Sequence, residues 1–217
     1  MSRAIVWFRR DLRLADNPAL QAALAAGHAP VPVYIHAPAE ERPWPPGAAS
    51  RAWLARSLQA LADALAQAGS RLIVRHGASA REIPTLLSET GAEAVYWNRV
   101  YEPAGMDRDR DIKQQLKASG VHAESFNSSL LVEPWQVATL GGEPYRVFTP
   151  FWRNASRDMA IGAPLPAPAN LPAVDARLAS ADIGSLGLQP DKPWDRGFWN
   201  VWQPGEAGAE ELLDAFG

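Results

Sequence analysis

The sequence predicts an α/β protein: five parallel strands in the order 3-2-1-4-5, helices on both faces, and an extended linker after the last strand. Short apolar runs alternate with helix-period stretches five times between residues 4 and 126, which is the pattern of a parallel sheet with right-handed crossovers. The first run, Ala4–Phe8, is almost continuously apolar, as suits a strand covered on both faces. Charge then arrives abruptly, with Arg9, Arg10, Asp11 and Arg13 at the carboxyl edge, where open α/β sheets meet their ligands.

Asp16 or Asn17 followed by Pro18 reads as an N-cap with proline at the first helical position. The alanine- and leucine-rich helix it opens ends at Gly27, a left-handed cap. Val31–Ile35 is the second strand, and Pro30 and Pro32 suit its beginning because proline cannot donate to a ladder. His36–Gly47 is a proline-rich connection, longer than the roughly 2–6 residues usual in such units, and long loops of this kind are often functional. The helix over 48–68 carries Leu54, Leu58, Leu61 and Leu65 as one stripe. The same spacing puts Arg51 on that buried face in the first turn, where a cation needs a partner: a nearby carboxylate, or an acidic or carbonyl-bearing ligand.

Arg71–Arg75 is the third strand, followed by a helix over 78–89 that Pro84 either kinks or truly begins. Ala92–Trp97 is the fourth strand and Asn98–Pro103 a second notable loop. A helix over 107–119 opens with Asp107, Asp109 and Asp111 among Arg108 and Arg110, a solvated start that favours the helix dipole. Val121–Phe126 is the fifth strand. The order 3-2-1-4-5 makes the sheet Rossmann-like and sets the first and fourth strands side by side. Arg9–Asn17 then meets Asn98–Glu102, while the His36 loop and the Arg51 turn lie on the other side of strand one.

Beyond Leu130, Trp135–Val147 reads as two extended pieces joined at Gly141–Gly142. A short helix follows over 148–159, whose Phe148, Phe151 and Trp152 are expected to cover the sheet, part of this surface being left to face another domain. Pro164, Pro166, Pro168 and Pro172 give residues 162–172 a linker composition. The remainder, with Trp194, Phe198, Trp199 and Trp202 and a last amphipathic turn over 206–216, reads as a connecting segment along a larger body. The expected division is an α/β domain over 1–160 and a linker over 161–217.

With 217 residues, 47% hydrophobic and 21% charged, the chain has ample length for one full core. The absence of cysteine excludes disulfides, thiolate metal sites and a cysteine nucleophile, and fits a cytoplasmic location. The first apolar run is far shorter than the roughly 7–15 residues of a secretory core, and no run is long enough for a membrane span. A net charge of −3 without a basic stripe argues against nucleic-acid binding by this chain alone. Glycine-rich dinucleotide and phosphate loops are missing. The four histidines, at 28, 36, 76 and 122, lack metal spacing, so no metal is expected. No serine sits in a nucleophile elbow, and no self-sufficient catalytic constellation emerges.

The wording Trp7-Phe8-Arg9-Arg10-Asp11-Leu12-Arg13-Leu14, then Asp16-Asn17-Pro18, closely resembles the opening of the DNA photolyase and cryptochrome family. Ala94–Asn98 with Glu102-Pro103, and Tyr145–Phe151, resemble later family stretches in the same order. The resemblance implies the amino-terminal α/β domain, which carries or shelters an antenna pigment passing excitation energy to a flavin. In the parent enzyme, reduced FAD excited by blue light gives an electron to a cyclobutane pyrimidine dimer in DNA and splits it. The helical domain that holds FAD has no counterpart in this sequence. The implied partners are therefore that helical flavin domain and, only through the parent protein, damaged DNA.

Among pigments, the resemblance favours an 8-hydroxy-5-deazaflavin over a folate. Folate-type members carry asparagine and glutamate where this chain has Ala104 and Gly105. Trp97-Asn98, Glu102-Pro103, Gly69–Leu72 and Arg51 look more like deazaflavin-carrying members. The pigment is expected against Tyr34, Ile35, His36 and Ala37 with Arg51 as anchor, and Asn98 and Glu102 complete the candidate set. Arg9, Arg10, Asp11, Arg13, Asp16 and Asn17 form the family signature loop. Flavin as the antenna, or an empty site, stays open. The alternatives are a cryptochrome-type photoreceptor domain and a free-standing nucleotide- or flavin-binding α/β module, for which the proline-rich linker and aromatic tail would have no use.

Overall fold

A computed structural model of the chain describes residues 1–157, 159 and 161–216. Strands β1 (Arg3–Phe8), β2 (Ala29–His36), β3 (Ile73–His76), β4 (Ala92–Asn98) and β5 (His122–Phe126) form one sheet of order β3-β2-β1-β4-β5, parallel at every pairing. Between them run α1 (Pro18–Ala25), α2 (Ala48–Gln67), α3 (Ser79–Thr90) and α4 (Pro103–Ala118), and α5 (Phe148–Arg157) and α6 (Glu206–Phe216) follow.

The alternation along β1 sorts the core into two layers. Ala4, Val6 and Phe8 pack with Leu20 of α1 and Leu58, Leu61 and Leu65 of α2. Ile5 and Trp7 pack with Ile83 and Leu86 of α3 and Ile112 and Leu116 of α4. Helices therefore cover both faces, and each fully buried leucine or isoleucine contributes roughly 1.5–3 kcal/mol. Asn17 caps α1, its side chain accepting from the Leu20 amide, with Pro18 at the helix start.

Several local expectations are corrected. Pro32 sits in the middle of β2, opposite Val6. It is tolerated because β3 joins β2 only from the Val33–Ile73 pair onward, so the residues before it have no ladder on that side. The helix expected over 78–89 is found as α3, Ser79–Thr90, with Pro84 inside it as expected rather than at its start. Pro84 and Ala80, whose carbonyl loses its helical partner, are both exposed, so water can take the missing bond. Residues 135–147 form no strand: a 3-10 turn covers Pro134–Gln136, and the Thr139 amide donates to the Glu143 carbonyl across the double glycine (2.9 Å). Phe148 and Trp152 do not cover the sheet. They stack on one another with planes 8° apart and are exposed. Asp158 of the helix expected over 148–159 lies outside the described residues.

Much of the tail expected as a linker packs back on the sheet layers. The Leu171 amide donates to the Ala68 carbonyl (2.7 Å) and the Ala181 amide to that of Val74 (2.9 Å). Leu171, Leu186 and Leu188 are buried in the α2-side core.

Candidate functional site at the carboxyl edge of the sheet

Where β1 leaves the sheet, Arg9 turns back beneath the loop. Its guanidinium donates to both carboxylate oxygens of Asp109 (2.8 and 2.6 Å) and to the Asn98 carbonyl. It also lies over the Trp7 ring, 4.4 Å from the centroid. Burial pulls the Arg9 pKa down, while Asp109 acts in the opposite sense. A buried guanidinium survives only with such partners. Asp109 is the important surprise. The aspartate-rich pattern implies a solvated first turn, but α4 begins at Pro103 and Asp109 is buried, while Asp107 and Asp111 stay exposed beside Arg110. Its spacing to Ile112 and Leu116 is the 3- and 4-residue step of a buried stripe, a signal the sequence did contain.

Asn98 ends β4 and is buried. Its side-chain Nδ2 donates to Asp11 (2.6 Å) and Asn17 (2.8 Å), and its side-chain Oδ1 accepts from the Ala19 amide (3.1 Å). Asp11 also accepts from the Arg9 backbone amide (3.0 Å). The first and fourth strand loops thus meet as expected, and they fill the crevice between them with their own polar groups. Arg13 reaches the carbonyls of Ser128 (2.8 Å) and Asp16 (2.7 Å), and Asp16 holds a left-handed φ of 47°. Glu206, at the start of α6, accepts from the amides of Leu14 (2.8 Å) and Ala15 (2.7 Å); nothing local in the sequence announces that contact. Arg10 and Glu102 form an exposed pair at 2.9 Å.

The second region lies across β1, at the end of β2. Strand alternation divides the expected set. Tyr34 packs in the α2-side core, with His36 stacked on it, ring centroids 6.5 Å apart. Ile35 and Ala37 belong to the opposite core. Burial, then the Glu41 charge, push the Tyr34 phenol up to about 12. Burial, then neighbouring His76, lower the His36 pKa; the two imidazoles are 5.5 Å apart. Arg51 is not buried. The whole first turn of α2 is exposed and burial begins at Ala52, so the helix starts beyond the body of the sheet. Among the described residues, the Arg51 guanidinium donates a hydrogen bond to the Pro46 carbonyl alone, at 3.4 Å. The loop before it carries an exposed Trp44 between Pro43 and Pro45. Asn98 and Glu102 lie on the other side of β1 and do not join this group.

Two clefts lie away from both regions. One, of about 510 Å³, is at the amino-terminal edge of the sheet near Arg3, Pro30 and Val174; the other, of about 880 Å³, lies under α5 between Val137 and Asn154. Among the described residues no cluster of three or more metal-ligating side chains occurs, and no helix is long and apolar enough to cross a membrane.

The order 3-2-1-4-5 and the helices on both faces define an open, doubly wound α/β domain. The DNA photolyase family model matches residues 4–169, and the chain belongs to that family. A bacterial class III photolyase from Agrobacterium tumefaciens superposes over all of this chain and 44% of its own, with a TM-score of 0.92 and 43% identity. Cryptochrome-2 of Arabidopsis thaliana is 37% identical over 99% of this chain and 36% of its own. An archaeal photolyase from Sulfolobus tokodaii, solved with two FAD molecules and described as implying a novel light-harvesting cofactor, covers 85% of this chain and 40% of its own, with a TM-score of 0.66 and 26% identity. The chain spans 44% of the Agrobacterium fabrum deoxyribodipyrimidine photo-lyase, with which it is 44% identical, and 36% of the cryptochrome. The free-standing nucleotide-binding module is not favoured by these matches.

Proposed function

We propose that this chain is the antenna-pigment domain of a photolyase-type protein, holding its pigment at the end of β2 beside the first turn of α2. The carrying observation is the contrast between the two carboxyl-edge regions. The β1–β4 crevice is filled by Arg9, Asp109, Asn98, Asp11 and Asn17, whose polar groups bond to each other. The β2 side combines aromatic faces with a solvent-facing guanidinium, the mixture a planar pigment with a few polar atoms requires.

An 8-hydroxy-5-deazaflavin fits the side chains present. The half-buried His36, stacked on the buried Tyr34, offers ring surface, and Arg51 offers donors to a carbonyl or phenolate oxygen. When bound, such a pigment absorbs light and passes excitation to a neighbouring flavin; this chain's part is to hold and orient it. Gly105 supports the choice against folate. A Cβ at that position would lie 2.5 Å from a Val100 methyl, so a glutamate there would require Val100 to move. The archaeal relative with two FAD molecules supports a second reading, flavin as the antenna. Repair of pyrimidine dimers, docking to a helical flavin domain, DNA contact through that parent and a cytoplasmic location belong to the same proposal.

The test is titration of the purified chain with 8-hydroxy-5-deazaflavin, methenyltetrahydrofolate and FAD, followed by absorbance and fluorescence. Saturable, shifted deazaflavin spectra that vanish in Arg51→Ala are the expected result. Tight folate binding indifferent to Arg51 would overturn the assignment.

A further inference from the structure

The loop that leaves β2 is tied to its neighbours at Glu40 and, through an exposed pair at 3.8 Å, at Glu41 with Arg10. The 3-10 turn Pro38–Glu41 sends the Glu40 carboxylate across to α3, where it accepts from the Ser79 amide (2.6 Å) and hydroxyl (2.8 Å). The first turn of α3 has no cap of its own, since Ala78 stands at the N-cap, so Glu40 supplies from a distance what a local serine or aspartate usually supplies. The same carboxylate pairs with Arg108 at 3.3 Å. Arg108 pairs with Asp109 at 3.1 Å, and Asp109 grips Arg9. Both arginines lie over the Trp7 ring, at 4.4 and 5.4 Å. A continuous ionic chain therefore runs from the end of β1 through α4 to the β2 loop and the start of α3. Its members are largely withdrawn from water, Glu40 and Arg108 retaining 19% and 20% side-chain exposure, so solvent screens them less than an ordinary surface pair.

We propose that Glu40 is a positioning residue for the pigment loop, transmitting the fixed geometry of the Arg9–Asp109 pair to residues 37–47; its effect on the pigment rests on the antenna reading above. Glu40 touches no pigment. It fixes the turn that connects His36 to the Trp44 and Arg51 end of the loop. A site prepared in this way binds without first ordering eleven residues of chain, 37 through 47. The signature arginine at position 9 then acts at a distance, as the fixed end of a strut.

Two readouts on Glu40→Ala and Glu40→Gln test this. The first is amide hydrogen exchange without pigment. Glu40→Ala is expected to speed exchange of Ser79 and of the 37–42 amides by about tenfold or more while leaving Ile5 and Val95 protected. Glu40→Gln, which keeps an acceptor for Ser79 but loses the charge facing Arg108, is expected to fall between. The second is deazaflavin titration, with affinity about tenfold weaker and lower fluorescence anisotropy of the bound pigment in Glu40→Ala. Wild-type exchange in 37–42, or faster exchange spread over the whole sheet, would overturn the positioning role. So would wild-type affinity and anisotropy in a variant whose parent binds pigment. Failure of the unsubstituted chain to bind deazaflavin would overturn the antenna reading instead, and the exchange pattern would still decide the role of Glu40.

Discussion

The β1–β4 crevice and the β2 end sit on the same edge of one sheet and are built on opposite plans. In the crevice the inward-facing charged and amide side chains are answered within the chain, Arg9 by Asp109 and Asn98 by Asp11 and Asn17, while Arg10 and Glu102 pair at the exposed rim. At the β2 end, Trp44 and Arg51 face solvent, and among the described residues Arg51 hydrogen-bonds to a single carbonyl, that of Pro46. The most recognisable motif is therefore a structural brace, and the surface proposed for the pigment lies next to it in a less distinctive stretch.

That contrast breaks most visibly at Asp109. Asp109→Ala leaves the Arg9 guanidinium buried without its anion and is expected to cost about 3–5 kcal/mol, read as a lower urea midpoint. Asn98→Ala removes a donor and an acceptor that serve three neighbours, Asp11, Asn17 and Ala19, and is expected to cost about 1–3 kcal/mol by the same measurement. Glu206→Ala frees the Leu14 and Ala15 amides at a less buried place. A loss of about 1 kcal/mol is expected, together with faster exchange of those two amides. Arg51→Ala is expected to change stability by less than about 0.5 kcal/mol while abolishing pigment binding. A large stability loss there would dissolve the distinction between the two regions.

The β2 end also carries the titration. The folded-state pKa of His36 is lowered from 6.5, so below that value the unfolded chain holds more protons than the folded one. The contribution is present near neutral pH and is lost as pH falls through 6.5 toward the lowered value. Denaturation midpoints followed from about pH 7 to about pH 5 are expected to fall less steeply in His36→Gln.

Period and punctuation made the sheet legible. Five alternations fixed its class, and the Asn17–Pro18 cap lies at the start of α1. Legibility failed where tertiary contact overrides local pattern. Residues 135–147 have strand-like composition but no partner strand to pair with. Phe148 and Trp152 have core chemistry but lie outside the core. Arg51 keeps the right helical phase, yet its turn starts beyond the sheet. In the site, the meeting of the first and fourth loops followed from strand order, and the identity of the residue opposite Arg9 was written in the Asp109, Ile112, Leu116 stripe. Glu40 and Glu206 reach across 39 and about 190 residues of chain, and no local pattern encodes a partner at that separation.

Amide chemical-shift mapping of the chain during addition of 8-hydroxy-5-deazaflavin tests the central claim most directly, because it separates the two regions in one titration. The account predicts that the largest changes fall on Tyr34–Ala37 and Ala48–Arg51, with Ala19, Asn98 and the Arg9–Asn17 loop little moved. Changes centred on Arg9–Asn17 and Asn98, with residues 34–51 undisturbed, would contradict it.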